Sequence, residues 1–590
     1  MKLVYIISIL FLITTFLLLK KTDKKQRLIP SIIYTICLFF CYNTAIVYFL
    51  YLLKITGSLL IFSLINYIIS ILLSLINYNR KEIQKYSINK KEVIVYLIIT
   101  CLVFLVGYYR FRGFTSISYE SGDSGIHYYH AEIFSKELSL LDEKNSKDIV
   151  YGNFKGVMPI SYINAGLFLK VFSNFKTYKA FMIYDVITLI LASLLFLSTI
   201  MKITENKKSN YLYCIVVTLI YILAFPLNSF IFGFCYLSLS IMVINLLYLT
   251  IINIKHNLNT NLLLNLILLF IINFSVFFSY YLFVPATYLS LGLYYIYLWK
   301  KKKISLKKLL LYGILTLVIP FILGIIYFLL PTFIKTNIAG ISKSISLKGY
   351  SYDSITNIYI FVIFSILFVF NFTQEKPKKI NYLKLNLFII SLNILIFFFL
   401  YIIGKASLYY FYKLFYVYWL FAILSLGKQF IDLKKAIYII FGVIIICVSY
   451  ISIAPTSRLS SALEKLNIYN WNTRTFSNDK IMYTKEELEL TEKTTDFNDI
   501  CVNNNRFLIT GTTLRNVWFY SLTKNIPAAT PIDNSPRSIY KLDNIELKIW
   551  KRVTEYKCLV YFYEFDKNSE EMSKYQVLYS NKAGAILKKQ

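Results

Sequence analysis

Glu120, Asp123, His127, His130 and Glu132 fall within thirteen positions of a chain that has only three histidines and 31 acidic residues against 63 basic ones. A carboxylate just beyond a transmembrane helix is placed to take the proton that a hydroxyl acceptor loses as it attacks an anomeric carbon. Asp123 suits that role best, because Gly122 and Gly125 let the backbone turn tightly and approach a ligand. Glu120 and Glu132 are alternative carboxylates. If Ser124 onward is helical, Asp123 stands at the N-cap, with His127 and His130 on the same side one and two turns on, and His127 is its natural helper. Arg110 and Arg112, immediately upstream, are sited to bind a phosphate at the membrane surface. The stretch Gly404–Lys413 adds Lys405, Tyr410 and Lys413, and either lysine suits a phosphate at the membrane surface.

Each of these residues also has a plain structural reading. Asp and Ser are common helix caps, arginines and lysines beside a span snorkel to the interface, and tyrosines populate the interfacial belt. Asp-x3-His-x2-His leaves room for a divalent cation, but it is a weak ligand pattern, and no metal is assigned.

The elements that must hold these residues are membrane helices. Of the 590 residues 57% are hydrophobic, 18% aromatic and 16% charged, with mean hydropathy +0.58. A soluble chain of this size has no way to bury that much apolar surface. Apolar spans read at 1–19, 29–53, 56–77, 92–109, 178–200, 211–229, 231–254, 262–281, 283–299, 309–330, 358–373, 385–403, 408–427 and 436–453. Lysine clusters follow alternate spans, beginning with Lys20 to Arg27, and so mark the cytoplasmic side. The expectation is a polytopic α-helical membrane protein of about 14 transmembrane helices with a small extracytoplasmic α/β C-terminal domain. Its parts are N-terminal transmembrane helices at 1–109, an extracytoplasmic acidic loop with juxtamembrane helices at 110–177, a transmembrane core at 178–453 and the α/β domain at 454–590. Both termini are expected outside. In the last part, strands are expected at 506–510, 558–563 and 575–579, and an amphipathic helix at 513–522.

The net charge of +32 does not point to nucleic acid, because the lysines sit in short runs between spans and form no binding face. Most of the eight cysteines lie inside apolar spans, where a thiol is a small hydrophobe. Cys501 and Cys558, in the polar tail, are free to pair, although nothing in the sequence demands it.

Gly122-Asp123-Ser124-Gly125-Ile126-His127, followed by Val157-Met158-Pro159-Ile160-Ser161-Tyr162, resembles the Asp-x3-His loop and later Pro-containing juxtamembrane segment of bacterial GT-C superfamily glycosyltransferases. The likeness covers the layout of the whole chain and about 50 residues of motif. It departs in that the motif follows the fourth span rather than the first, and no Asp-x-Asp accompanies it. The resemblance implies a bacterial plasma-membrane enzyme that makes an inverting transfer from a polyprenyl-phosphate sugar donor to a glycan or glycolipid acceptor of the cell envelope, with a loop carboxylate as base. Membrane lipid is a further partner. A flippase or transporter of lipid-linked oligosaccharide is the alternative, but such a protein carries charges inside its helices, and here Asp185 is a rare one. An O-antigen polymerase or ligase, built around a large late loop, ranks below both. The loop at 343–353 is read as a solvent connection ahead of a lid over the site.

Overall fold

The computed structural model describes residues 1–19, 25–80, 83–118, 123–140, 159–204, 211–224, 226–231, 233–254, 261–335, 381–429, 482–501, 506–509, 513–524, 526–527, 557–562 and 573–590. The expected spans 358–373 and 436–453, the loop 343–353 and the candidate carboxylate Glu120 lie outside the described residues.

The protein is a helical, multi-pass membrane protein. The chain opens with α1 (Lys2–Leu18), α2 (Leu28–Leu52), α3 (Leu59–Arg80) and α4 (Lys90–Arg110). Two helices then lie between spans, α5 (Asp123–Glu137) and α6 (Pro159–Val171). After them come α7 (Thr177–Ile203), α8 (Tyr211–Ala224), α9 (Pro226–Ile231), α10 (Cys235–Ile254), α11 (Leu262–Ser279) and α12 (Val284–Lys300). A single π turn joins α13 (Leu306–Gly313) to α14 (Ile319–Lys335), and α15 (Tyr382–Ile402) and α16 (Leu408–Gln429) complete the described membrane part. Among the described residues nine helical stretches are long and apolar enough to cross a membrane, and α1 and α8 are shorter apolar helices. The helices start where the sequence supplies caps: the Asn89, Ser305 and Asn381 side chains accept from backbone N–H groups of α4, α13 and α15. The expected span 211–229 breaks at Pro226, which has no N–H to continue α8 and opens α9 instead.

Two faces of the bundle are distinguished by their connections. On one, the two-residue strands β1 (Gln26–Arg27) and β2 (Tyr86–Ser87) pair in parallel, Asn89 Nδ2 donates to Tyr211 Oη at 2.8 Å, and Lys90 and Lys91 begin α4. On the other, Lys2 Nζ donates to Ser173 Oγ at 2.6 Å and to Asn174 Oδ1 at 2.9 Å, which places the start of α1 beside the α6–α7 turn. There β3 (Ile117–Ser118) pairs antiparallel with β4 (Met482–Tyr483), and Lys176 forms an ion pair with Glu492. The C-terminal domain therefore rests on the same face as α5, α6 and the start of α1.

That domain is a five-stranded sheet with order β6-β5-β7-β9-β8, built from β5 (Arg506–Ile509), β6 (Ile526–Pro527), β7 (Cys558–Phe562), β8 (Tyr575–Ser580) and β9 (Gly584–Lys589). β5 pairs in parallel with β6 and β7, so its links need crossovers, whereas β9 runs antiparallel to β7 and β8. The helix α17 (Lys485–Lys493) begins with a Thr484/Glu487 capping box, and α18 (Thr513–Thr523) connects β5 to β6. Leu490, Phe519, Val560, Phe562 and Ile586 form the domain core together with Cys501 and Cys558, which are disulfide-bonded with a Cα–Cα distance of 5.1 Å.

Candidate functional site

The polar knot folds as α5, and that helix is buried on two sides. Gly125, Tyr128, Tyr129 and Glu132 recur at i, i+3, i+4 and i+7, and so do His127, His130, Ala131 and Phe134. The second stripe is offset from the first by two residues, roughly 200° around a helix, so the two face opposite ways. The first stripe meets the C-terminal domain, with Tyr128 also reaching the start of α7, and the second meets the membrane helices.

On the membrane side, His127 Nδ1 shares a 2.7 Å hydrogen bond with Tyr162 Oη of α6, and the Tyr162 ring lies 5.1 Å from that of His130. α5 and α6 approach closely because Gly166 has no side chain: a Cβ there would stand 2.8 Å from the Ala131 carbonyl oxygen. The edge of Tyr236, from the first turn of α10, meets the His127 ring at 5.1 Å. Lys413 of α16, 2% exposed, donates to Tyr236 Oη at 2.7 Å. Its ammonium lies 4.9 Å from the Phe234 ring and 5.3 Å from those of Tyr236 and Tyr280. Such a cage stabilises a desolvated cation by about 0.5–2 kcal/mol.

Both imidazoles are held neutral. Burial, the neighbouring His130 and the Lys413 ammonium push the pKa of His127 down to about 3. Burial and the Lys524 ammonium push that of His130 down to about 3. At neutral pH the two are therefore uncharged, one nitrogen of each a donor and the other an acceptor. His127 Nε2 is buried and makes no hydrogen bond within the described residues.

On the opposite side, α18 lies across the first two turns of α5. Ser521 Oγ donates to the Gly125 carbonyl at 2.8 Å, and a Cβ on Gly125 would meet Val517 Cγ1 at 2.8 Å. The Trp518 ring stacks on Tyr128 at 5.5 Å, and Tyr520 stacks on Tyr129 at 5.4 Å. Lys524, in the left-handed conformation that ends α18 (φ 64°), pairs with Glu132 at 2.5 Å and lies 4.3 Å from the Tyr129 ring. Lys136, one turn along α5, also reaches Glu132 at 3.2 Å.

The remaining sequence candidates are spread out. Asp123 is the first residue of α5, one turn before His127. Arg110 is buried at the last turn of α4, whereas Arg112 is exposed and left-handed (φ 45°) in the turn that follows. Lys405 is exposed beside Gly404, and Tyr410 is half-buried in the first turn of α16. Asp185 is buried on α7, within electrostatic reach of Tyr184 and Cys235. Thus His127, His130 and Lys413 meet through Tyr162 and Tyr236, while Lys405 and Arg112 stand in solvent-facing turns. Sequence reasoning missed Tyr162 and Tyr236 as the connecting groups, and Trp518 and Lys524 altogether. One signal was legible in advance: α5 has large side chains on two opposed stripes, a pattern that demands two partners. Among the described residues no group of three or more His, Cys, Asp and Glu side chains is placed to hold a metal ion. No protein-family model matches the sequence, and no curated protein matches it.

Proposed function

We propose that the protein is an integral-membrane glycosyltransferase of GT-C type that moves a sugar from a polyprenyl-phosphate donor to a cell-envelope glycan or glycolipid. The observation that carries this reading is the meeting of α5, which Asp123 opens, with the buried Lys413–Tyr236–His127 cluster. An acidic loop helix and a buried ammonium nearly 300 residues apart in sequence converge at one end of the bundle, where a lipid-anchored phosphate is presented.

In this reading the Asp123 carboxylate takes the proton of the acceptor hydroxyl as its oxygen attacks the anomeric carbon. The bond from that carbon to the phosphate oxygen breaks, and polyprenyl phosphate leaves with the electron pair. Lys413 offsets the charge gathering on the leaving phosphate, and Arg110 stands at the same end of the bundle as a second cation. His127, neutral and fixed by Tyr162 through Nδ1, offers Nε2 as an uncharged polar contact within the site.

The face that bears α5 is read as extracytoplasmic. Supporting this, the domain seated on it carries a disulfide, which persists in oxidising compartments, and Arg27, Lys85, Lys90 and Lys91 gather at the opposite face. With the stretches at 358–373 and 436–453 counted, the spans number fourteen, in the plasma membrane of a bacterium. The test is to produce Asp123→Asn, Glu120→Gln and Lys413→Gln in cells that depend on the protein, and to measure surface glycan against protein level. Loss of glycan in Asp123→Asn or Glu120→Gln, and in Lys413→Gln, is expected. Wild-type glycan in both carboxylate variants would overturn the catalytic assignment.

A further inference from the structure

We infer that the C-terminal domain completes the site by positioning α5 from behind, through a clamp of Lys524, Glu132 and Trp518. This inference rests on the proposed transferase reading for its consequence, but not for its physical content. Leu138, which follows α5, is left-handed (φ 48°) and ends the helix. Its register against Tyr162 and Tyr236 is set by side-chain packing on both of its faces. On one side that packing is chiefly α6, with Tyr236 of α10 against His127. On the other side it is α18, which belongs to a domain separated from α5 in sequence by the membrane core.

The α18 contacts are of a kind that sets position and does not merely add area. Ser521 bonds the Gly125 carbonyl, and the absent Gly125 side chain fixes how closely the two helices approach. Trp518 stacks on Tyr128, whose hydroxyl shares a 2.5 Å hydrogen bond with Thr177 Oγ1 at the start of α7, so the stack bridges domain, loop helix and membrane helix. Glu132 is engaged by Lys524 from across the interface and by Lys136 from its own helix. A carboxylate held by two ammonium groups beside aromatic rings is a strut, and this assigns Glu132 a positioning role. Tyr128 and Tyr129 lie between His127 and His130 on the same helix, so any rotation of α5 that frees the clamp also carries both imidazoles away from Tyr162. A displacement of about 1 Å at a reacting group is enough to lower turnover by about 100-fold.

The experiment is a charge swap in the full-length protein. Lys524→Glu and Glu132→Lys are made singly and together, with Lys524→Arg as the conservative control and Asp123→Asn as the functional reference. Two quantities are read: amide hydrogen exchange across 123–137 in detergent, and surface glycan per molecule of protein in cells. Each single reversal should speed exchange in α5 by about tenfold or more and cut glycan to about a tenth or less. The double swap should return both to within about threefold of wild type, and Lys524→Arg should leave both near wild type. Unchanged α5 exchange in the single reversals, or no recovery in the double swap, overturns the clamp. Faster exchange in the single reversals with wild-type glycan, while Asp123→Asn loses it, also overturns the positioning role. If Asp123→Asn, Glu120→Gln and the reversals all keep their glycan, it is the transferase reading that fails, and the exchange data alone decide the clamp.

Discussion

Acid should weaken this protein through His127 and His130 specifically, and the size of the effect follows from their surroundings. Both imidazoles are buried between α5, α6 and α10, with pKa values held at about 3. Among the described residues the charged groups that act on them are the Lys413 ammonium on His127 and the Lys524 ammonium on His130, and both disfavour an imidazolium. In the unfolded chain a histidine titrates near pH 6.5, so as the pH falls below that value the unfolded state takes up protons that the native state refuses. By linkage, stability is fully present above about pH 6.5 and is lost progressively toward pH 3. At pH 5 the loss is about 2 kcal/mol for each imidazole, or about 4 kcal/mol for the pair. That is a large share of the typical 5–15 kcal/mol stability of a domain. The assay is the thermal or denaturant midpoint of the purified protein in a non-ionic detergent from pH 8 to 5 at constant ionic strength. Wild type is compared with His127→Gln, His130→Gln and the double variant. Each single variant should lose about half of the pH dependence between 6.5 and 5, and the double variant most of it. A wild-type midpoint that is flat across this range, or a double variant that falls as steeply as wild type, would refute the argument that the imidazoles stay neutral because they are buried among cations.

The other predictions concern the same helix and the domain behind it. Tyr162→Phe removes the hydroxyl that shares the 2.7 Å bond with His127 and leaves a buried nitrogen unsatisfied. It should lower stability by about 1–3 kcal/mol, read as a drop in the thermal midpoint with no change in the exposed loops. Gly125→Val forces a side chain against Val517, which a Cβ alone would approach to 2.8 Å. The overpacking should weaken docking of the C-terminal domain by about 1–3 kcal/mol and raise its protease sensitivity, and wild-type protease resistance would contradict the close approach of α18 to α5. Reducing the Cys501–Cys558 bond, which spans 57 residues of sequence, should destabilise the C-terminal domain by about 4 kcal/mol in the chain-entropy view, read as a lower midpoint in dithiothreitol that Cys501→Ser reproduces.

Much of this architecture is written locally, and for that reason it was legible in the sequence. An apolar run long enough to cross the hydrocarbon is its own signal, and the stretches read as spans correspond to α2, α3, α4, α7, α10, α11, α12 and α15 within a few residues. The tail behaves in the same way: strands expected at 506–510, 558–563 and 575–579 appear as β5, β7 and β8, and the helix expected at 513–522 is α18. Alternation and turn chemistry decide such elements with little help from outside. β6, only two residues long, and β9, whose Gly584-Ala585-Ile586-Leu587 carries few β-forming signals, exist because a neighbouring strand supplies their partners. The pairing of Cys501 with Cys558 likewise stayed open until the fold placed the end of one helix beside a central strand.

The site was legible only in part because its members obey a different rule. Asp123, His127 and His130 share one helix, and their spacing announces them. Tyr162, Tyr236 and Lys413 come from three other helices, each with good local reasons to carry a tyrosine or a lysine near a membrane surface. What removes the ambiguity is burial. An interfacial lysine that snorkels keeps its ammonium in water, whereas Lys413 is 2% exposed and enclosed by Phe234, Tyr236 and Tyr280. Lys405, in the exposed turn before α16, shows what the anchoring role looks like in the same protein. Holding an ammonium out of water costs several kcal/mol before compensation, and a cage of aromatic rings offsets only part of that. Replacing Lys413 with Met, which keeps the length and loses the charge, should therefore leave the fold as stable as wild type or slightly more stable, while abolishing the glycan transfer proposed above. A Lys413→Met protein that is markedly destabilised yet fully active would show the lysine to be a structural pin. The opposite pairing of results would show a charge kept at the expense of stability, which is what a group retained for its ligand should look like.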